Sequence, residues 1–161
     1  MTEFRQMRRF KQQISQNECA DVLTKEKRGV LAVNGEGGYP YAVPINFLYD
    51  DKTQRIFFHG ARSGHKFDAL KADGKVCFTV YEQGEQRGDW SYYVRSVIVF
   101  GRIHFIEDNE VAISYVRKMA YKYYPEGSGQ TIEDDIKRNG GRMQMLELIH
   151  ESITGKLVHE Q

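Results

Sequence analysis

The sequence predicts a small, mainly antiparallel β-barrel with helices at its margins, built by one domain over residues 1–161. Three observations predict it. About six apolar or alternating segments follow one another, joined mostly by tight polar turns. The run Trp90–Phe105 far exceeds the roughly 5–6 residues of an ordinary strand, as in a curled barrel or a strand shared by two sheets. Helical periodicity is confined to three or four short stretches, too few for a Rossmann-type sheet, which needs a helix between most of its strands.

Taken in order, Ser15-Gln16-Asn17-Glu18 is a capping-box pattern, and Cys19, Val22 and Leu23 recur at helical spacing, so a short helix runs to about Lys27. Val30–Val33 is a compact apolar strand. Asn34-Gly35-Glu36-Gly37-Gly38 then supplies residues that tolerate positive φ, a hairpin signal. In the returning strand Tyr39–Tyr49, Tyr41, Val43, Ile45, Phe47 and Tyr49 share one face, and Pro44 implies an edge or a gap in pairing. Arg55–His59 is the third strand and Lys75–Tyr81 the fourth, with a helix between them that stops near Asp73-Gly74. Gly101 within the long β run marks a bulge or bend. Asn109 opens a helix with Ala112, Tyr115, Val116, Met119 and Tyr123 inside, and Thr131 begins a shorter one. Met143–His150 is the last strand, and Ser152–Leu157 reads as a tail that packs on the surface or on a partner.

Composition excludes several function classes. Lys plus Arg (23) nearly cancel Asp plus Glu (22), so no global field favours nucleic acid. No apolar run approaches the ~20 residues of a membrane span, and Met1–Arg9 lacks the apolar region of a signal peptide. A cytoplasmic protein is the expectation. Cys19 and Cys77 are isolated and read as buried hydrophobes with no disulfide and no metal spacing. No Ser/His/Asp order points to a hydrolase.

Chemistry concentrates in residues 56–70. Ile56-Phe57-Phe58-His59 ends a strand, Gly60-Ala61-Arg62-Ser63-Gly64 turns, and His65-Lys66-Phe67 opens a helix. A helix start presents unpaired N–H groups and the positive end of the helix dipole. Glycines at 60 and 64 permit close backbone approach, and Arg62, Ser63, His65 and Lys66 surround the donors with a hydroxyl and cations. Such a turn suits a phosphate, although an ordinary basic loop has the same spacing. The glycine spacing of a Walker A loop or a dinucleotide fingerprint is absent.

Laid out this way, the chain resembles the pyridoxamine 5′-phosphate oxidase-like, FMN-binding split barrels, and within them the nitroimidazole-resistance (Nim) branch. The resemblance rests on Met7-Arg8-Arg9, Arg28-Gly29-Val30-Leu31-Ala32, Gly38–Asn46, Phe57–Ala61 with Gly64-His65-Lys66, and Ser96–Arg102, over roughly residues 7 to 106. It implies a six-stranded antiparallel split β-barrel and a homodimer with FMN at the subunit interface. It implies that Ser63, His65 and Lys66 hold the cofactor phosphate, that Val43-Pro44-Ile45-Asn46 runs along the isoalloxazine ring, and that His59 sits beside it. Trp90, Tyr92, Ser96 and Ile98 would come from the partner subunit. The chain departs from a true pyridoxamine 5′-phosphate oxidase at Gly64-His65-Lys66, where that enzyme has Ser-Arg-Lys, and it lacks that enzyme's arginine-rich C-terminal motif. Vitamin B6 oxidation is therefore not expected. Some relatives carry haem or a deazaflavin instead.

With FMN bound, the expected activity is reduction of small electron-poor substrates such as nitroaromatics or nitroimidazoles. His65 is the candidate acid, since an imidazole donates protons near neutral pH. The competing expectation is a flavin- or haem-binding sensor or carrier without turnover of its own.

Overall fold

Residues 4–160 are described by the computed structural model; Met1–Glu3, part of the N-terminal reading above, and Gln161 lie outside the described residues. The capping box forms as its residue types require. Ser15 Oγ accepts the Glu18 N–H at 3.2 Å, and Glu18 Oε2 accepts the Ser15 N–H at 2.8 Å. Helix α1 (Gln16–Lys25) follows, burying Cys19, Val22 and Leu23. Strand β1 (Arg28–Asn34) turns through Gly37 (φ 65°) and Gly38 (φ 78°), a backbone that L side chains rarely adopt, into β2 (Pro40–Asn46). After Phe47 come β3 (Leu48–Asp50), β4 (Arg55–Ala61), helix α2 (His65–Ala72), β5 (Lys75–Tyr81) and the two-residue β6 (Glu85–Gln86). The chain ends with β7 (Tyr92–Ile106), α3 (Asn109–Tyr123), α4 (Gly129–Asn139) and β8 (Met143–Glu160).

The strands form one antiparallel sheet in the order β2-β1-β5-β7-β8-β4-β3, with β6 paired to the start of β7. Its two edges, β2 and β3, are consecutive in sequence and separated only by Phe47. A sheet whose opposite edges are one residue apart has to curl until those edges meet. The result is a barrel pinned shut at Phe47 and open beyond it, the split barrel expected from the sequence. Eight strands replace the six expected. The predicted strand 39–49 is broken at the Phe47 crossing, and β6 adds a short pair. The expected tail is no tail, because Ser152–Leu157 continues β8 as the partner of β7. β8 carries a bulge at Glu151, where the register steps from Phe100↔Ser152 to Gly101↔His150. A Cβ on Gly101 would lie 2.3 Å from the Ile149 carbonyl oxygen, so only glycine fits this approach.

Inside the barrel, Phe78 receives the rings of Phe47 and Phe58 edge-on, each at 5.0 Å. Cys19 is buried as expected. Cys77 is half-buried on the outer face of β5 rather than in the core, and both thiols are free. Helix α3 closes the split from outside. The Tyr115 ring stacks on Phe57 at 3.6 Å. The Tyr123 hydroxyl accepts the Phe47 N–H (2.9 Å) and faces the carbonyls of Phe47 (3.0 Å) and Lys27, one of which takes its proton. Lys122 donates to the Glu26 carbonyl at 2.7 Å with its ammonium 4.0 Å from the Phe47 ring centre; burial pushes its pKa down to about 8. The crossing residue is thereby held by backbone hydrogen bonds and by packing. Among the described residues, no helix is long and apolar enough to cross a membrane.

Candidate functional site

Topology creates the site. β4 pairs with β3 only as far as Phe57, and β2 has no neighbour on its outer side. Past Phe47, two strand edges without strand partners therefore face one another across the split. Unpaired edges present backbone N–H and C=O groups, which a ligand with a polar rim can satisfy. Pro44 is tolerated there because an edge strand requires no ladder donor at that position. A groove lined by Arg28, Pro44, Ile45, Asn46 and His59 occupies this gap. It opens into a cleft of about 500 Å³ that shares Arg28, Asn46 and His59 and is walled on the other side by Val116, Met119, Ala120 and Tyr123 of α3. That volume is within the range of small-molecule sites.

From His59 in the groove, β4 runs on through Gly60 and Ala61 into the turn before α2. Gly64 precedes α2 with φ 106°, and no side chain caps the helix, so its first N–H groups are left for a ligand. Lys66 is half-buried, and its Nζ lies 3.3 Å from where a Cβ on Gly60 would be. The missing side chain at Gly60 is what lets the ammonium fold over the strand. No carboxylate pairs with Lys66 among the described residues, and burial lowers its pKa. A partly desolvated cation without a counter-ion beside uncapped helix donors fits a phosphate group. Among the described residues no cluster of His, Cys, Asp or Glu is suited to hold a metal ion.

The other site residues read from the sequence are distributed as follows. Ser63 is exposed in the turn, and the His65 ring, also exposed, stacks on Tyr41 of β2 at 4.1 Å. Arg62 is drawn away from the turn, its Nε donating to the Met143 carbonyl at 3.4 Å. Val43 packs half-buried against the core, while Pro44, Ile45 and Asn46 line the groove. His59 is open to the cleft, yet the protein packed around it, and secondarily Lys66, hold its pKa below the usual histidine value. Its Nδ1 lies 3.0 Å from Met119 Sδ. Trp90 (96% exposed) lies in the loop before β7, Tyr92 opens that strand, and Ser96 and Ile98 lie on its outer face, apart from this chain's own groove.

Arg28, Lys27 and the α3 residues also line the cleft, and the sequence did not mark them. Arg28 belongs to a motif of the resemblance above, but its spacing carries no site signal. Met119 and Tyr123 have the periodicity of ordinary inner-face helix residues, and nothing local shows what that face meets.

Comparison with known proteins agrees with this fold. The sequence profile of the pyridoxamine 5′-phosphate oxidase family matches residues 15–157. A candidate 5-nitroimidazole antibiotic resistance protein of Bacteroides thetaiotaomicron superposes with a TM-score of 0.74 at 18% identity, covering 92% of this chain and 87% of that one. An FAD-binding protein of Mesorhizobium loti superposes with a TM-score of 0.68 at 22% identity, covering 91% and 96%. An FAD- and haem-binding protein of Mycobacterium smegmatis does so with a TM-score of 0.70 at 17% identity, covering 91% and 73%. At these identities the likeness is one of fold. No curated protein matches the sequence. The profile match over almost the whole length, on a barrel of this topology, places the chain in the pyridoxamine 5′-phosphate oxidase family.

Proposed function

We propose that the protein is an FMN-dependent oxidoreductase, working in the cytoplasm as a homodimer and reducing small electron-poor substrates such as nitroaromatics. The observation that carries this reading is Lys66, a half-buried cation with no carboxylate partner among the described residues, at an uncapped helix start that follows the strand whose His59 lines the groove. Lys66, Ser63 and the first N–H groups of α2 would hold the phosphate, with His65 beside them on Tyr41. The Val43–Asn46 edge and His59 would receive the polar rim of the ring. Bound flavin supplies the electron transfer, and the protein supplies position, charge and access. The cleft, with Val116, Met119 and Ala120 on one wall and Lys27, Arg28, Asn46 and His59 among its polar lining, gives a small flat substrate one apolar surface to lie on and polar groups to meet.

A second copy is the natural cover for the outer face of the sheet. Rows of small and apolar residues run across it in register, Pro44–Val30–Thr79–Ile98 and Ala42–Ala32–Cys77–Phe100. Ile98 and Phe100 are 39% and 40% exposed, and the first row is continuous with the groove through Pro44. Exposed Trp90 and Tyr92 would then reach a partner's cofactor. Ile98→Glu is expected to convert dimer to monomer in sedimentation velocity and to weaken flavin retention, because a charge would be buried without a partner. A monomeric wild type would exclude the interface.

The activity is tested on protein as purified. Its absorbance spectrum should show flavin bands and no haem Soret band. After anaerobic reduction by NAD(P)H, a nitroimidazole should reoxidise it faster than it reoxidises free FMN at the same concentration. Equal rates would leave a flavin carrier, and a haem spectrum would replace the cofactor assignment altogether.

A further inference from the structure

We propose that the protein has a second small-molecule site, separate from the groove, which takes a small organic cation: an ammonium group on an apolar body the size of a single ring. The site is a cavity of about 140 Å³ between α1, the turn joining β3 to β4, and the middle of β8. It shares no lining residue with the groove or the cleft. A cavity of this size holds a molecule such as benzene. An irregularity in β8 shapes it. His150 and Ile153 are three residues apart, a spacing that puts side chains on opposite faces of a regular strand. The extra residue at Glu151 shifts the register, so that His150, opposite Gly101, and Ile153, opposite Val99, turn to the same face. Both then line the cavity.

The lining is divided. Cys19, Ala20 and Leu23 of α1 and Ile153 of β8 form an apolar wall. Against it stands Tyr49 of β3, only 8% exposed, whose hydroxyl forms no hydrogen bond among the described residues. Folded proteins rarely leave a buried hydroxyl unpaired, and each exception calls for a partner. The other free polar groups are mainly acceptors. His150 Nδ1 lies 3.0 Å from the Gln54 carbonyl oxygen, which can only accept, so the neutral ring carries its hydrogen there and Nε2 is an acceptor. The Asp51 carboxylate stands exposed at the rim and pairs with no cation among the described residues. No Lys or Arg lines the cavity. The Gln16 amide, a donor, is already engaged by the Ile153 carbonyl at 3.1 Å. Nor does the start of α1 invite an anion, because Ser15 and the Glu18 carboxylate already complete its capping box. Unpaired acceptors beside a carboxylate and an apolar wall match positively charged N–H donors on an apolar body. An anion would meet Asp51 with no compensating cation, and water alone would satisfy Tyr49 while leaving the wall wet.

The test uses the full-length protein as purified, at about pH 8, where alkylamines are charged and ordinary imidazoles neutral. Cyclohexylamine, cyclohexanol and cyclohexanecarboxylate are titrated by calorimetry and in ¹H–¹⁵N spectra. Cyclohexylamine should bind with a submillimolar Kd and move the amide resonances of residues 16–23, 49–54 and 150–153, not those of residues 59–66. Cyclohexanol should bind about 10-fold more weakly, and the carboxylate should not bind. Asp51→Asn, a change at an exposed turn residue, should weaken the amine by about 5- to 10-fold and leave the alcohol unaffected. Tyr49→Phe should weaken the amine by about 3-fold or more, yet the melting temperature of the ligand-free protein should hold or rise, because an unpaired buried hydroxyl is removed. A lower melting temperature would show the hydroxyl already bonded and overturn the site. Equal binding of amine and alcohol, preference for the carboxylate, shifts confined to residues 59–66, or binding of none of the three would each overturn it as well. None of these readouts involves flavin, so the result is independent of the cofactor assignment.

Discussion

Lys66→Met is expected to weaken FMN binding by about 10- to 100-fold, the loss of one charge-assisted phosphate contact of roughly 1.5–3 kcal/mol. Methionine keeps most of the stem that packs over Gly60 and removes only the ammonium. The same change should raise the melting temperature of the flavin-free protein, because a half-buried cation without a carboxylate partner is relieved of its desolvation. The sign follows from linkage. Burial lowers the pKa of Lys66 in the folded state, so folding disfavours its charged form at every pH below the folded-state value, and deleting the charge removes that penalty. Flavin-fluorescence titration and thermal melts of the flavin-free protein measure the two effects. Opposite signs are what a residue kept for binding at the expense of stability gives. Unchanged affinity would mean that the phosphate lies elsewhere.

The second large effect is expected at Phe47. Phe47→Ala should destabilise the protein by about 3–5 kcal/mol, the usual range for emptying a fully buried aromatic site. For a chain of this length that corresponds to a fall in melting temperature of about 10 °C or more. The side chain is wholly buried against Phe78, lies under the Lys122 ammonium, and occupies the single position joining the two edges of the sheet. Its loss therefore acts on the groove as well as on the core. FMN affinity should fall together with stability, although Phe47 is absent from the groove lining. A loss of less than about 1 kcal/mol in chemical denaturation would show that the crossing is held by the Tyr123 hydrogen bonds alone.

Part of this architecture was legible in the chain itself. The capping box at Ser15 and Glu18 depends on residues three apart, and the glycine hairpin at 37–38 on local φ preferences. The break at Gly101 was legible too, although the extra residue resides across the ladder at Glu151, which no local signal reports. Alternation over Tyr41, Val43, Ile45, Phe47 and Tyr49 gave the inward face correctly but concealed the most consequential event in the fold. The period of two persists while the chain passes from one sheet edge to the other, so nothing in the pattern marks Phe47 as a crossing. The stretch Ser152–Leu157 was misread for a related reason. It does alternate, with Ile153, Gly155 and Leu157 on one face, but Gly155 interrupts the apolar row and no residue in it has a strong strand preference beyond Ile153 and Thr154; it pairs because the long β7 offers it a ladder.

The sequence by itself determined the local devices: where helices start, which strand faces are apolar, and a basic, glycine-punctuated turn with the composition to meet a phosphate. Each depends on residues within one or two turns of each other, so backbone sterics and short-range hydrogen bonding suffice. Only the tertiary structure decided that Lys66 goes without a carboxylate partner, that the edges of β2 and β4 face one another, and that Met119 and Tyr123 of α3 meet His59 and Phe47. Those facts depend on contacts between segments 60 and 76 residues apart, which exist only once the sheet has curled and its edges have met.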